Sequence, residues 1–241
     1  MNKIFDVQYM IDAIPYILKG IPVSLAIALV AFVFGILLGF IGAIAKIYKI
    51  PVLRHIVSLY VSFIRGTPLI VQIFLIYYGI PIALRVLNET FGTNIDVSKI
   101  PAIIFMFVAF SLSSGAYLTE TIRSAILAVD NGQMEAAYSV GMSSSQAMLR
   151  IVIPQALKVG LPNIANHFIG MLKDTSLAFA ASVTDIMGQA KIVAGRTSRF
   201  FEAYIVAAIV YWIICIIFER LVALIEKKVC KNEKNVKGET V

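Results

Sequence analysis

Four ionisable side chains lie inside or directly at the end of long apolar stretches of the sequence: Arg65, Glu120, Lys173 and Asp174. A charge near the centre of a bilayer costs about 2.5–3.5 kcal/mol on insertion scales, so such residues tend to face a cavity or a partner. Two of them adjoin helix-breaking segments, 66–68 and 174–176, where frayed helix ends would offer backbone groups to a ligand. The pattern predicts either a polar binding site at membrane depth or ion pairs that hold helices together.

The composition is that of a membrane protein with several spans. Of the 241 residues, 59% are hydrophobic and 15% charged, whereas a soluble domain has about a quarter charged. The apolar segments predict an all-α integral membrane fold with five transmembrane helices, at 20–45, 55–84, 100–119, 155–184 and 200–225. Gly35, Gly39 and Gly42 favour close helix packing within one subunit over a dimerisation face.

The chain divides into an N-terminal interfacial segment (1–20), a transmembrane domain (21–225) and a solvated cytoplasmic tail (226–241). The basic loop with Lys46, Lys49 and Arg54 predicts an external N-terminus and a cytoplasmic C-terminus. Residues 131–154 then lie inside, and residues 185–199 form an external polar loop. One group of residues disagrees with this orientation because it puts positive charge outside: Lys191, Arg196 and Arg199.

Catalytic chemistry is not indicated. The sequence has no G-x-x-x-x-G-K-[ST] nucleotide-binding motif, and no Ser/His/Asp or Cys/His set is supported by spacing. His55 and His167 lack the carboxylate or cysteine neighbours of a metal site. His167 is expected to be a packed or interfacial residue and not a ligand. Cys215 and Cys230 are expected to be free thiols. The net charge of +7 sits in loops and at the C-terminus, which indicates membrane orientation rather than nucleic-acid binding.

The longest polar interval, residues 131–154, reads as two short helices joined by a turn. Asn131 is expected to cap the first helix and Gly141 to end it in the left-handed conformation. A capping box of Ser143 and Gln146 opens the second helix, which Pro154 is expected to interrupt. The small face of Ala136 and Ala137 beside Glu135 suits insertion into a groove of another protein. An ordinary helical loop is the alternative.

The spacing of this interval resembles the EAA loop of the membrane subunits of binding-protein-dependent ABC importers. The matching positions, with Ile153 where leucine is usual, are Glu135, Ala136, Ala137, Gly141, Ile151 and Pro154. The resemblance implies a type I ABC importer permease fold, in which this loop is a coupling helix that docks on a cytoplasmic ATPase. No cofactor is expected in this chain, since ATP and Mg would bind the ATPase.

The resemblance also implies an assembly in the bacterial cytoplasmic membrane. Its partners would be two ATPase subunits, a second permease copy or close paralogue, an extracytoplasmic substrate-binding protein and membrane lipid, with no nucleic acid. Further runs look like the polar amino-acid branch of the family: 65–68 with Gln72, 115–117 with Glu120 and Arg123, 132–133, 154–156 and 173–177. Residues 176–195 and 200–204 look most like cystine permeases.

A zwitterionic amino acid needs a cationic or N–H-rich patch for its carboxylate and an acidic or carbonyl patch for its ammonium group. We expect Glu120 to meet the ammonium, and Lys173 with Thr175 and Ser176 to meet the carboxylate. Four residues complete the predicted substrate pathway: Arg65, Thr67, Gln72 and Tyr117. The alternative is that the charges pair with one another.

A different class of function also fits these charges. Arg65, Glu120 and Lys173 could serve ion coupling in a secondary transporter or channel that works without an ATPase. An integral membrane enzyme is a third reading, but no residue set supports it.

Overall fold

A computed structural model describes residues 5–237, with side chains described through Lys228. Every regular element within this range is helical. The α-helices are α1 Val7–Leu18, α2 Ile21–Ile47, α3 Leu53–Gly66, α4 Leu69–Phe91, α5 Ala102–Leu127, α6 Asn131–Ser139, α7 Ser144–Ala147, α8 Ile153–Asp174, α9 Ile186–Thr197 and α10 Phe200–Lys237. Short 3₁₀ turns cover Val97–Lys99 and Thr175–Ala181, and a π-helical turn covers Met148–Val152.

Four of the described helices are long and apolar enough to cross a membrane: α2, α4, α5 and α10. The segment Ser144–Ala181 and α9 are bent by 50° at the break between them, and they make a fifth span if the pair crosses the membrane as one unit. The all-α membrane architecture predicted from the sequence is therefore confirmed. Helix α5 extends to Leu127, past the predicted end at residue 119, and α10 stays helical beyond residue 226.

The first and third spans, α2 and α5, form the closest helix pair. Gly39 faces Leu118, and a Cβ added there would lie 2.8 Å from the Leu118 Cβ and 2.9 Å from its carbonyl carbon. Gly35 and Gly42 face Ser114 and Thr119 in the same way. Because glycine lets two backbones approach, the pair gains dispersion contacts along its length. The predicted role of these glycines, packing within one subunit, agrees with this contact.

The second predicted span is broken into α3 and α4. Pro68 has no N–H and disfavours helical backbone at the residue before it, and Thr67 is accordingly extended, with φ −121° and ψ 145°. The Gln72 side-chain amide donates to the carbonyls of Ile64 (2.8 Å) and Thr67 (2.9 Å), which the break has freed. This leaves α4 alone as the membrane-length helix.

Residues 185–199, predicted to be a polar loop, instead form α9. Asp185 caps the helix by accepting a hydrogen bond from the Gly188 N–H (2.8 Å), and it also accepts one from the Tyr211 hydroxyl (2.8 Å). The carboxylate is wholly buried but satisfied, which is what makes its burial tolerable. The apolar side of α9 contributes Ile186 and Val193 to the core. The prediction of a loop was wrong because the polar residues of this segment made its apolar, buried side hard to recognise in the sequence.

The N-terminal helix α1 packs on α9 and α10. Ala13 and Ile17 are buried in the same cluster as Ile186 and Val210. Arg199, just before α10, forms ion pairs with Glu202 (2.8 Å) and with Asp6 (3.6 Å), the residue that caps α1. The N-terminal segment and the α9–α10 connection therefore lie at the same end of the bundle.

Candidate functional site

A polar cavity of about 400 Å³ opens between the α3–α4 break, α5 and α8. Its lining residues come from these three places: Thr67, Leu69, Gln72, Phe110, Ser113, Ser114, Tyr117, Asn166, His167, Gly170, Met171 and Asp174. Hydroxyl and amide groups share the wall with aromatic and aliphatic side chains. A concave site of this size and mixed lining suits a small polar molecule.

Asp174 is the one carboxylate in this lining, which also contains His167. It is the last residue of α8, where the helix passes into the 3₁₀ turn. Asp174 forms no ion pair with any other described residue. Ser113 and Asn166 add neutral hydrogen-bonding groups to the same wall. An uncompensated carboxylate facing an open cavity is suited to bind a cation.

An aromatic stack lies at the end of the cavity that is nearer to residues 131–154. The Tyr117 and His167 rings lie 5.8 Å apart at 29°, and the Arg65 guanidinium lies 5.7 Å from the Tyr117 centroid. The Ser114 hydroxyl and His167 Nε2 are 3.0 Å apart and share a hydrogen bond. His167 is therefore a cavity residue and not merely a packed one. Nothing local in the sequence indicates this position, because only the packing of α8 against α5 turns the ring inward.

Gln72 is buried, with 3% of its surface exposed, and supports the cavity from the α3–α4 break. Its amide nitrogen also donates to the Thr67 hydroxyl (3.1 Å), while its Oε1 has no partner within the described residues. Thr67, Gln72 and Tyr117, all predicted pathway residues, thus line one cavity. The acceptor Oε1 is left available for a donor.

Glu120 forms ion pairs with residues of two helices. Its carboxylate accepts from Lys46, at the end of α2, and from Arg123 (3.0 Å), one turn further along α5. Glu120 is absent from the lining of the cavity that holds Asp174. Both carboxylate oxygens are used by cations, so these contacts favour the alternative reading of Glu120 as an ion-pair residue over contact with a substrate ammonium.

The other residues predicted to hold the substrate carboxylate also lie outside this cavity lining. Lys173 is exposed, and Thr175 is wholly buried, with its hydroxyl donating to the Leu172 carbonyl (2.7 Å). Ser176 sits in the 3₁₀ turn. Because α8 continues through Asp174, neighbouring residues project about 100° apart around its axis. Asp174 therefore faces the cavity while Lys173 does not.

We expect Glu120→Gln to reduce stability without changing substrate affinity. Losing one charged partner of Lys46 and Arg123 should cost about 1–3 kcal/mol of unfolding free energy. The charge swap Lys46→Glu with Glu120→Lys should recover part of that loss. Thermal unfolding of the purified protein and the KM of uptake measure the two effects separately. Glu89→Gln, at an exposed position, is the control. A tenfold rise in KM with normal stability would return Glu120 to the substrate site.

The segment 131–154 forms a helix, a turn and a second helix, as predicted. Gly141 has a positive φ of +81°, and Ser143 with Gln146 forms a capping box. Two details differ from the prediction. Asp130, rather than Asn131, caps α6 by accepting from the Gly132 N–H (2.6 Å). Pro154 does not interrupt the second helix, because the preceding π-helical turn, with its bond from the Ile153 N–H to the Met148 carbonyl, leads directly into α8.

Met134 and Met148 attach this segment to the bundle by packing near Ile126 and Ala156, and Ile47 of α2 joins the same cluster. The Gln155 amide also donates to the Gln133 side chain (3.2 Å). The segment therefore has a fixed place beside the ends of α2, α5 and α8.

The outward side of the segment carries Glu135 and Ala136, both exposed. Ala137 corrects the predicted smooth outer face, because it is 1% exposed and packs inward. Three large apolar side chains are exposed beside Glu135 and Ala136: Tyr138, Val140 and Leu149. Ile151 is half-buried and Pro154 exposed. An apolar patch outside the membrane-length helices is typical of a surface that another protein covers.

Comparison with known proteins decides the family. Residues 35–231 match the family described as the binding-protein-dependent transport system inner membrane component. This chain is a member of that family. The match covers both the cavity and the 131–154 segment, which is called the coupling loop from here on, after the role that its resemblance to the EAA loop predicts.

Relatives of this permease match along almost their whole length. It is 40% identical to a probable amino-acid ABC transporter permease of Vibrio harveyi, over 94% of this chain and 97% of that one. It is 39% identical to an L-cystine transport system permease of Bacillus subtilis, over 98% and 96%. These similarities identify it as an amino-acid ABC transporter permease of the cell membrane.

Two solved structures share the fold of the permease. The crystal structure of an amino acid ABC transporter with histidines matches with a TM-score of 0.80 and 36% identity, over 94% of this chain and all of that one. An inward-facing methionine ABC transporter matches with a TM-score of 0.67 at 17% identity, which indicates a shared fold alone. The type I importer permease fold predicted from the sequence is thereby confirmed.

Proposed function

We propose that this permease imports a polar L-amino acid, with cystine favoured, and that the substrate passes through the cavity of Asp174, Tyr117 and His167. The observation that carries the proposal is a polar cavity between apolar helices, whose lining includes one acid that forms no ion pair among the described residues. Transport would be driven by ATPase subunits that bind ATP and Mg, since this chain has no nucleotide-binding motif. The other partners would be a second permease and an extracytoplasmic substrate-binding protein.

Asp174 would bind the substrate ammonium group, in the place that the sequence assigned to Glu120. The carboxylate would turn toward Arg65, whose guanidinium lies over Tyr117 on the cavity wall. Asp174 and His167 are seven residues apart on α8, which is about 10 Å along a helix axis. A cavity of this length suits an extended substrate with two charged ends.

Cystine has this shape, because its two amino-acid halves are joined by a disulfide whose Cα atoms are about 5.5–6 Å apart. The ammonium of one half could meet Asp174 while the carboxylate of the other half approaches Arg65. The similarity to L-cystine permeases of Bacillus subtilis, at 39% and 37% identity, supports the same choice. Glutamine permeases of Rickettsia, at 32% identity, make glutamine the first competitor to test.

The orientation that supports this function has the N-terminus outside and the C-terminus in the cytoplasm. Ile47 packs with Met134 and Met148, so the basic loop after α2 lies at the same end as the coupling loop. The external positive charges are partly accounted for, since Arg199 pairs with Asp6 and Glu202, and Lys191 lies 4.6 Å from the Phe179 ring centroid. Because these charges have partners, they count less than the basic loop as evidence for the orientation in the membrane.

The proposal is tested by reconstituting the permease in vesicles, alone and with its co-purified ATPase and binding protein. Uptake of labelled cystine should require ATP and both partners, and unlabelled glutamine should compete poorly. Uptake by the lone chain in an ion gradient without ATP would overturn the ABC mechanism and favour a secondary transporter. ATP-dependent uptake of another amino acid would overturn the cystine assignment alone.

A further inference from the structure

A second polar cavity of about 400 Å³ lies between α5 and α8, next to the first. Glu120, Thr121 and Ser124 line it from α5, and Gly160 and Asn163 from α8. The two helices approach closely here, since a Cβ on Gly160 would lie 2.9 Å from the Ala125 Cβ. This cavity is nearer to the coupling loop than the first, because these residues are closer to the ends of α5 and α8 that hold the loop.

The two cavities lie about one helical turn apart along α5 and α8. Tyr117 and His167 line the first cavity, while the residues one turn nearer to the coupling loop, Thr121 and Asn163, line the second. The stacked rings of Tyr117 and His167 lie at this boundary. No other aromatic ring lines the coupling-loop side of the boundary among the described residues.

We propose that the Tyr117–His167 stack is a gate between the substrate cavity and a vestibule that opens toward the coupling loop. The inference rests on the proposed function, because it assumes that the first cavity holds the substrate. The two rings would act as a barrier and not as ligands of the substrate. Together they block the polar path along α5 and α8 until the helices move relative to one another.

Three contacts hold the stack closed. The hydrogen bond between Ser114 and His167 joins α5 to α8, ring stacking joins Tyr117 to His167, and the Arg65 guanidinium covers Tyr117 from α3. The first two contacts join α5 to α8, and the third joins α3 to α5. A shift of α8 relative to α5 would break the first two together, so movement of the coupling loop, which leads directly into α8, is transmitted to the gate.

Cysteine accessibility tests the gate without requiring transport. In a Cys215→Ser, Cys230→Ser background, Ser113→Cys reports the substrate cavity and Ser124→Cys the vestibule. Inside-out vesicles carrying the assembled complex are treated with a membrane-impermeant thiol reagent. Ser124→Cys should react, and Ser113→Cys should be protected. Adding Tyr117→Ala or His167→Ala should raise the reaction rate of Ser113→Cys by about tenfold or more, the change expected when a closed state loses its stabilising contacts.

Two controls separate the gate from general loosening. Tyr117→Phe keeps the ring and should leave Ser113→Cys protected, whereas Tyr78→Ala makes the same truncation at an exposed tyrosine outside both cavities. If Tyr117→Ala does not assemble, Tyr117→Leu and His167→Asn remove the stacking at smaller cost. Equal reaction of Ser113→Cys in the parent and in the assembled stack variants would overturn the gate. If the stack variants change the accessibility of Ser113→Cys but the parent protein shows no ATP-dependent uptake, the gate stands and the proposed function is overturned.

Discussion

Asp174→Asn should reduce uptake at low substrate concentration by about 10- to 100-fold, because a hydrogen bond to a charged group contributes about 1.5–3 kcal/mol. Asp174 is the one carboxylate in the lining of the proposed substrate cavity, and no ion pair to it is formed among the described residues. Asparagine keeps the size of the side chain but cannot offset the charge of an ammonium group. The effect should appear in KM when uptake is measured with a saturating concentration of binding protein.

The matched control is Asp12→Asn, which makes the same change at an exposed position on α1, where Asp12 accepts a hydrogen bond from Gln8. It should leave uptake unchanged. Lys173→Gln is a second control, because it neutralises the adjacent residue that projects away from the cavity. Normal uptake by Asp174→Asn, or an equal loss in Lys173→Gln, would contradict the assignment of the ammonium site.

Gly141→Asp and Glu135→Lys should each abolish coupled uptake while leaving the permease inserted in the membrane. Nothing lies within 4 Å of a Cβ added at Gly141, and its φ of +81° is one that aspartate tolerates better than β-branched residues. Glu135→Lys should therefore leave the shape of the loop unchanged, whereas Gly141→Asp adds local backbone strain without a steric clash. The added carboxylate, or the reversed charge at the exposed Glu135, would then disturb the docked ATPase, where loss of a buried charged contact costs about 2–5 kcal/mol.

Three measurements distinguish docking from folding. The amount of ATPase that co-purifies should fall, uptake should stop, and any remaining ATP hydrolysis should no longer depend on the binding protein. Glu89→Lys, a charge reversal at an exposed position near the far end of α4, is the control and should retain all three properties. Coupled uptake in both coupling-loop variants would remove the docking role from Glu135 and Gly141.

The main architecture could be read from the sequence because its causes are local. Apolar segments of membrane length must become helices, since backbone hydrogen bonds cannot be made to water in the bilayer. Gly141 and the Ser143–Gln146 capping box follow from the conformations that those residues accept. Pro68 set the α3–α4 break, although only the structure showed that Gln72 bonds the carbonyls freed there.

The side-chain directions could not be read in this way. Lys173 and Asp174 are adjacent in sequence and equally costly in a membrane, yet Asp174 alone lines the cavity because α8 remains helical at this point. Ala137 resembles Ala136 in every local respect, but the packing of α6 against the bundle buries it. Such outcomes depend on helix rotation, which is fixed by contacts between residues distant in sequence.

The sequence by itself determined the membrane class, the helical spans, the family and the form of the coupling loop, because composition, chain stereochemistry and motif spacing are properties of neighbouring residues. Only the tertiary structure paired Glu120 with Lys46, 74 positions away, and brought His167 against Ser114 and Tyr117. The physical reason is that a charge or ring chooses among all partners that the packed helices bring within reach. For this reason we propose Asp174, and not Glu120, as the ammonium site.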